Sequence, residues 1–347
     1  MFRLRVLIGL ALIGCPLRAQ QVLQPFGEVA APGIANALTA VPTRCDAHGD
    51  VYLRIASAPD VSHQLLARIG RDGSMATFNA EKVTDTPLRD WFFQDFAITS
   101  DAVWLLGTMP SKANSTLNYL LQFNLQGDYK RSLQLESDFD MEQLAVFDTG
   151  DFLVSGIERI GRDTLKAVTA MFDRQGRFLK RILTAAQSKQ ADKEEPPSTS
   201  DPTAVSANIT LGTSESYGGE IYVLRASAPP VVLVISSGGT VARQFVLEPP
   251  SPDARPGEMR VAQGQIAVEF LKPKSDGKPL KSGEPVFYDF SQAEYVVYNA
   301  FTGDKVAGYT RALSLSGSFV CFDGRGGFDF LAQTESGTRK IIRAGAR

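Results

Sequence analysis

Asp95, Glu142, Asn208 and Glu258 bear oxygen ligands, and each lies ahead of a tight polar turn on a stretch with strand character. If those stretches converge, the four side chains make the kind of carboxylate and amide set that a hard cation such as Ca²⁺ accepts. A water activated there would make the chain a metal-dependent hydrolase or a lactonase-like enzyme. The plainer alternative is four separate hydrogen-bonded or solvated groups. Arg260 stands two residues after Glu258 and joins the same ligand-binding set. Trp91-Phe92-Phe93 follows a long connection, so Trp91 and Phe93 are placed either to stack a sugar or peptide ring or to pack a core. His48 and His63 are the only histidines, which leaves little for a His-based triad. The chain has no C-x-x-C, H-E-x-x-H or EF-hand loop, so no catalytic residue is assigned and no cofactor is expected beyond Ca²⁺. Lys272, Lys274, Lys278 and Lys281 share one Gly/Pro-rich hairpin, readable as an anion site or, more simply, as a solvated tip.

The elements that must position these residues recur. A tight polar turn leads into a strand at Asp46–Asp50 with Val51–Ile55, at Thr99–Asp101 with Ala102–Leu106, and at Asp148–Asp151 with Phe152–Val154. It recurs at Tyr217–Glu220 with Ile221–Leu224, at Gln263-Gly264 with Gln265–Val268, and at Asp323–Gly327 with Phe328. The six copies lie about 55 residues apart, the signature of a repeat architecture. Each is followed by a hairpin with its own Gly turn, such as Tyr119–Phe123 with Gln126-Gly127 and Val168–Phe172 with Asp173–Gly176. Asp and Asn bond their own backbone there while Gly supplies positive φ. Val103–Leu106, Ile221–Leu224 and Val231–Ile235 are apolar at both parities, so these strands need cover on both faces. Stacked four-stranded sheets in a closed ring supply it. The expected fold is all-β: a six-bladed β-propeller of four-stranded antiparallel blades occupying residues 20–347 as one domain. The last unit has only three strands before Arg347, and Gln21–Phe26 is the expected fourth, closing the ring.

The D-x-x-G turn strands and the Phe172–Leu179 segment resemble those of six-bladed propellers of the NHL and TolB-like kind. That resemblance covers nearly the whole chain after its leader, but it is a likeness of repeat units and implies fold rather than reaction. In such a ring the long connections at 79–90, 185–203, 248–257 and 272–285 share one face, with 185–203 readable as a disordered loop. A protein, peptide or glycan ligand is expected on that face. The preferred reading is a non-catalytic binding or scaffold module acting as a monomer, with the Ca²⁺-dependent enzyme as the alternative.

Residues 1–19 read as an export signal, with Arg3 and Arg5 ahead of the apolar stretch Val6–Ile13. Leu17-Arg18-Ala19 suits an ordinary signal peptidase. Leu12-Ile13-Gly14-Cys15 suits lipidation at Cys15, which would make the chain an envelope lipoprotein subunit and is the one route to a membrane. The expected location is periplasmic or secreted. Cys45 and Cys321 are the remaining cysteines, free either to pair across the ring closure or to stay buried thiols. The thiol reading is preferred because inner strands of neighbouring blades can exceed the roughly 7 Å Cα limit for a bridge. A formal net charge of −2 gives no basic field for nucleic acid.

Overall fold

The computed structural model describes residues 20–31, 38–56, 64–85, 88, 91–110, 116–160, 164–182, 213–225, 229–273, 288–335 and 337–346. Residues 1–19 with Cys15, the 185–203 loop, His63, Asn208 and three of the hairpin lysines lie outside them.

Strand β1 (Gln21–Ala31) is followed by four sheets, each of four consecutive antiparallel strands. The first holds β2 (Leu38–Cys45), β3 (Val51–Ala56), β4 (Gln64–Ile69) and β5 (Met75–Phe78). The second holds β6 (Phe92–Ile98), β7 (Ala102–Pro110), β8 (Thr116–Asn124) and β9 (Tyr129–Leu135). In the third are β10 (Asp140–Val146), β11 (Phe152–Ile160), β12 (Thr164–Phe172) and β13 (Phe178–Ile182), and in the fourth β14 (Thr213–Tyr217), β15 (Glu220–Arg225), β16 (Val231–Ile235) and β17 (Val241–Val246). The rest are β18 (Arg255–Ala262), β19 (Gln265–Pro273), β20 (Tyr288–Asn299), β21 (Lys305–Arg311), β22 (Ser318–Phe322), β23 (Gly327–Gln333) and β24 (Arg339–Ala346). With β1 they form one eight-stranded sheet in the order β18-β19-β20-β21-β1-β24-β23-β22.

The arrangement is a β-propeller of four-stranded antiparallel blades, but the expected six blades do not appear as six sheets. Among the described residues there are four separate four-stranded sheets plus the eight-stranded one. The cause is β1. It pairs antiparallel with β24 from Leu23 to Ala31, and its start, Gln21–Leu23, also pairs parallel with Tyr309–Arg311 of β21. The expected pairing of the N-terminal strand with the last strand is therefore present, and it is longer than Gln21–Phe26.

Turn chemistry explains the repeat. The Asp46 Oδ1 accepts the His48 and Asp50 amides at 2.9 and 3.0 Å while Gly49 adopts φ 79°. Asp173 with Gly176 and Asp323 with Gly326 repeat this arrangement, one carboxylate holding two amides around a left-handed glycine.

Two-sided burial follows from packing between sheets. Every residue of β16 is buried, as are Ala102 to Met109 of β7. Trp104 and Leu106 pack with Phe152 and Val154 between the second and third sheets; the Trp104 and Phe152 rings meet edge-on at 4.9 Å. The same packing continues sheet by sheet until Ala31, Val320, Leu331 and Ile341 meet Val51, Leu53 and Ile69 of the first sheet. First strands of successive units touch in a cycle, β2, β6, β10, β14, β18, β22 and β2 again, and so surround a central channel.

Cys45 at the end of β2 and Cys321 in β22 are joined as a disulfide with Cα atoms 5.7 Å apart. This corrects the preference for free thiols: at the channel the first strands are close enough to lie inside the bridging range. The bond spans 276 residues of sequence. Cys45→Ser is expected to cost about 3–5 kcal/mol in urea melts, because a long loop loses much of its denatured-state entropy when cross-linked. Ellman titration of the denatured, unreduced wild type should find neither thiol.

Asp329 lies opposite Cys321 in the β22–β23 register, where burial pushes its carboxyl from 3.8 up to about 6. A raised folded value favours the folded state below the unfolded value, and that contribution is lost as pH rises through about 6. Asp329→Asn should therefore flatten a loss of about 1–3 kcal/mol between about pH 4 and 6, read from urea melts across that range.

Candidate functional site

The channel contains a cavity of about 480 Å³ walled by the first strands. Irregular pairing aims several side chains into it. On β6 the register with β7 slips between Phe93 and Asp95, on β10 between Met141 and Gln143, and on β18 between Pro256 and Met259. Of the residues left out of register, Gln94, Glu142 and Glu258 line the cavity, as expected of bulges that re-aim side chains, while Gly257 does not. On β14 pairing is regular, and Thr213, Ser214 and Glu215 line it directly.

Two arginines sit in the wall, each already engaged. Arg44 of β2 reaches Asp95 of β6 at 3.1 Å and donates to the Leu144 carbonyl of β10 at 3.2 Å. Asp95 also accepts the Leu144 amide at 2.8 Å. Burial raises its carboxyl, with Arg44 and the Leu144 and Phe96 amides opposing. Arg260 of β18 uses all three guanidinium nitrogens, donating to Glu258, to the Met259 and Thr43 carbonyls and to the Val320 carbonyl of β22. Its Nη1 is also 3.3 Å from the Glu215 carboxylate. These two clamps tie β2 to β6 and β10, and β18 to β14, β22 and β2.

The remaining acids are less well matched. Burial raises Glu215, with Arg260 and Arg44 lowering it and Glu258 adding to the rise. Burial and the neighbouring Asp140 raise Glu142, which makes no ion pair among the described residues.

Of the residues singled out in the sequence, Asp95, Glu142, Glu258 and Arg260 meet in this cavity. Asn208, the fourth expected oxygen donor, lies outside the described residues. Among those described, no three His, Cys, Asp or Glu side chains gather closely enough to hold a metal ion. Trp91 and Phe93 do not line the cavity. Trp91 lies against Gly107 of β7, filling the space a Cβ would take, and Phe93 is buried between the first and second sheets beneath Arg54, whose guanidinium is 5.0 Å from its ring. The slip at Gln94 is what separates them from the channel. His48 sits on the turn face, in a second depression that touches Asp46, Asp148 and Tyr217 and shares Arg44, Ser214 and Glu215 with the central cavity.

Arg44, Ser214 and Glu215 escaped the sequence reading. Their signal is a polar residue within a few positions of the repeated turn, as in Thr43-Arg44-Cys45-Asp46 and Thr213-Ser214-Glu215-Ser216, where a first strand interrupts its apolar pattern.

A β-propeller with a charged, largely internally paired channel is the class that this fold and site define. No family model matches the chain and no curated protein matches it. Among solved structures, a protein of unknown function from Dyadobacter fermentans DSM 18053 is similar at TM-score 0.51 and 9% identity, over 94% of this chain and 99% of that one. A protein of unknown function from Bacteroides caccae (TM-score 0.43, 12% identity, 79% and 82% covered) and the Dos1 propeller (0.41, 10%, 85% and 74%) are more distant. At such identities the likeness concerns the fold alone.

Arg44→Met leaves Asp95 buried without its cation and is expected to cost about 3–5 kcal/mol. Asp95→Asn keeps an acceptor for the Leu144 amide and should cost less, about 1–2 kcal/mol. Urea melts of the two variants check the order.

Proposed function

We propose that this chain is an exported, six-bladed propeller that acts as a non-catalytic binding or scaffold module, engaging a protein, peptide or glycan at the central cavity. The six-blade reading takes the eight-stranded sheet as two blades, β18–β21 and β22–β24 with β1, bridged only by the short parallel contact at Gln21–Leu23. Kinship with NHL and TolB-like propellers rests on the same repeat. Export is supported by the apolar stretch Val6–Ile13 and by the Cys45–Cys321 bond, which belongs in an oxidising compartment. Cleavage after Ala19 remains the preferred processing, with lipidation of Cys15 as the variant that would tether the module to the envelope.

One observation carries the binding reading: the cavity is polar and large enough for a ligand group, yet among the described residues its wall offers no reactive constellation. Its arginines are held by carboxylates and carbonyls, and among the described residues neither histidine nor cysteine lines it and Ser214 Oγ has no hydrogen-bond partner to act as a base. The test compares wild type with Thr213→Trp, which puts a large side chain into the cavity wall. Photo-crosslinking in envelope extract should recover a component with wild type that Thr213→Trp fails to retain. Turnover of ester, lactone or peptide substrates with Ca²⁺ that disappears in Glu142→Gln would replace this reading with the enzyme one.

A further inference from the structure

We infer that the central cavity takes a positively charged, hydrogen-bond-donating group of its ligand, an ammonium or a guanidinium. This rests on the binding-module reading and adds the ligand's chemistry to it.

The cavity's own cations are committed. Asp95 holds Arg44, while Glu258 and three backbone carbonyls saturate Arg260. An anion entering here would find no guanidinium hydrogen free on Arg260 and would face carboxylates. What stays unmatched accepts rather than donates. Ser214 is 3% exposed and its Oγ has no partner. Beside it on β14, Glu215 Oε1 is ion-paired with Arg260 at 3.3 Å but accepts no hydrogen bond. On the neighbouring first strand, the slip on β10 turns Glu142 to the cavity, and no cation of the described residues pairs with it. A buried acceptor left unmatched such as Ser214 Oγ is costly, and a half-buried carboxylate without a cation such as Glu142 adds to that cost. Among the described lining residues four acids stand against two arginines, so acceptors outnumber cations, and about 480 Å³ suits one basic side chain or a small amine rather than a folded segment. The cation would sit between Glu142 and Glu215 with Ser214 as a third acceptor, desolvated but paired.

Burial raises both Glu142 and Glu215, so acidification should weaken binding as they take up protons. The other charged groups facing them are Asp140, Asp95, Glu258, Arg44 and Arg260.

Calorimetric titration of the full mature chain tests this with acetyl-alanyl-arginine amide, its neutral citrulline isostere, and cadaverine as an ammonium probe. The arginine peptide or cadaverine should bind at least about tenfold more tightly than the citrulline peptide. Glu142→Gln should erase about that factor while the melting temperature holds or rises, and Glu215→Gln should erase it too but lower the melting temperature, because it removes the charge paired with Arg260. Equal affinity for the arginine and citrulline peptides would overturn the charge inference and leave cavity binding standing. Tight binding that Thr213→Trp does not reduce would place the contact elsewhere and overturn both. Absence of binding by all three probes would overturn the cation inference, with the crosslinking comparison then deciding the binding reading separately.

Discussion

Closure of the ring is the constraint on which everything else depends. Sheets buried on both faces cannot end: a first or last sheet without a neighbour would expose a face as apolar as the interior. Leu23 and Ala31 of β1 are fully buried, Ala31 among Val320, Ile341 and the first sheet, so the N-terminal strand completes the face that the C-terminal strands cannot cover alone. Hydrogen bonding from Leu23 to Ala31 along β24 fixes its register, and the Cys45–Cys321 bond fixes the seam from the channel side. One closure works through backbone pairing at the outside of the ring; the other is covalent at the inside.

A closed ring creates the second problem, which is what to do with the first-strand edges that face the axis. Backbone carbonyls of Leu144, Met259, Thr43 and Val320 have no further strand to pair with there, and guanidinium donors reach them instead. Arg44 and Arg260 thus substitute for missing strand neighbours, and Asp95 and Glu258 neutralise them. This explains why the charged residues of the channel occur in clamps and why each clamp bridges different sheets. The electrostatics of the site is a consequence of the architecture.

Much of the fold was legible because its grammar is local. Asp46 with Gly49 and Asp323 with Gly326 mark turns wherever they occur, and Val231–Ile235 announces two covered faces by composition alone. The N-terminal strand was legible as an arithmetic deficit in the last unit. The number of separate sheets was not, since the parallel contact of Gln21–Leu23 with β21 depends on how far β1 slides along β24. Nor was the fate of Trp91, which depends on Gly107 in the next strand offering a flat backbone to lie on. The cavity was half legible. Asp95, Glu142, Glu258 and Arg260 stood out as charges near first strands, whereas Arg44 and Glu215 looked like ordinary strand-end polarity next to a turn. Bulges decide which of two adjacent side chains faces the axis, and a one-residue slip leaves no mark in composition.

Architecture accounts for the clamps but not for the whole lining. A propeller that needed only a sealed axis could fill it with apolar side chains, and replacing buried ion pairs that way is often neutral or stabilising. Asp95 and Glu258 have structural work to do on Arg44 and Arg260. Glu142 has none, since the slip that turns it inward leaves it without a cation among the described residues, and Ser214 presents a buried hydroxyl to nothing. Groups that cost stability and support no neighbour are where a folded chain departs from its own best packing, and such departures concentrate at sites of binding. By that reasoning the β10 and β14 side of the channel is the part of the wall shaped for something other than the ring itself.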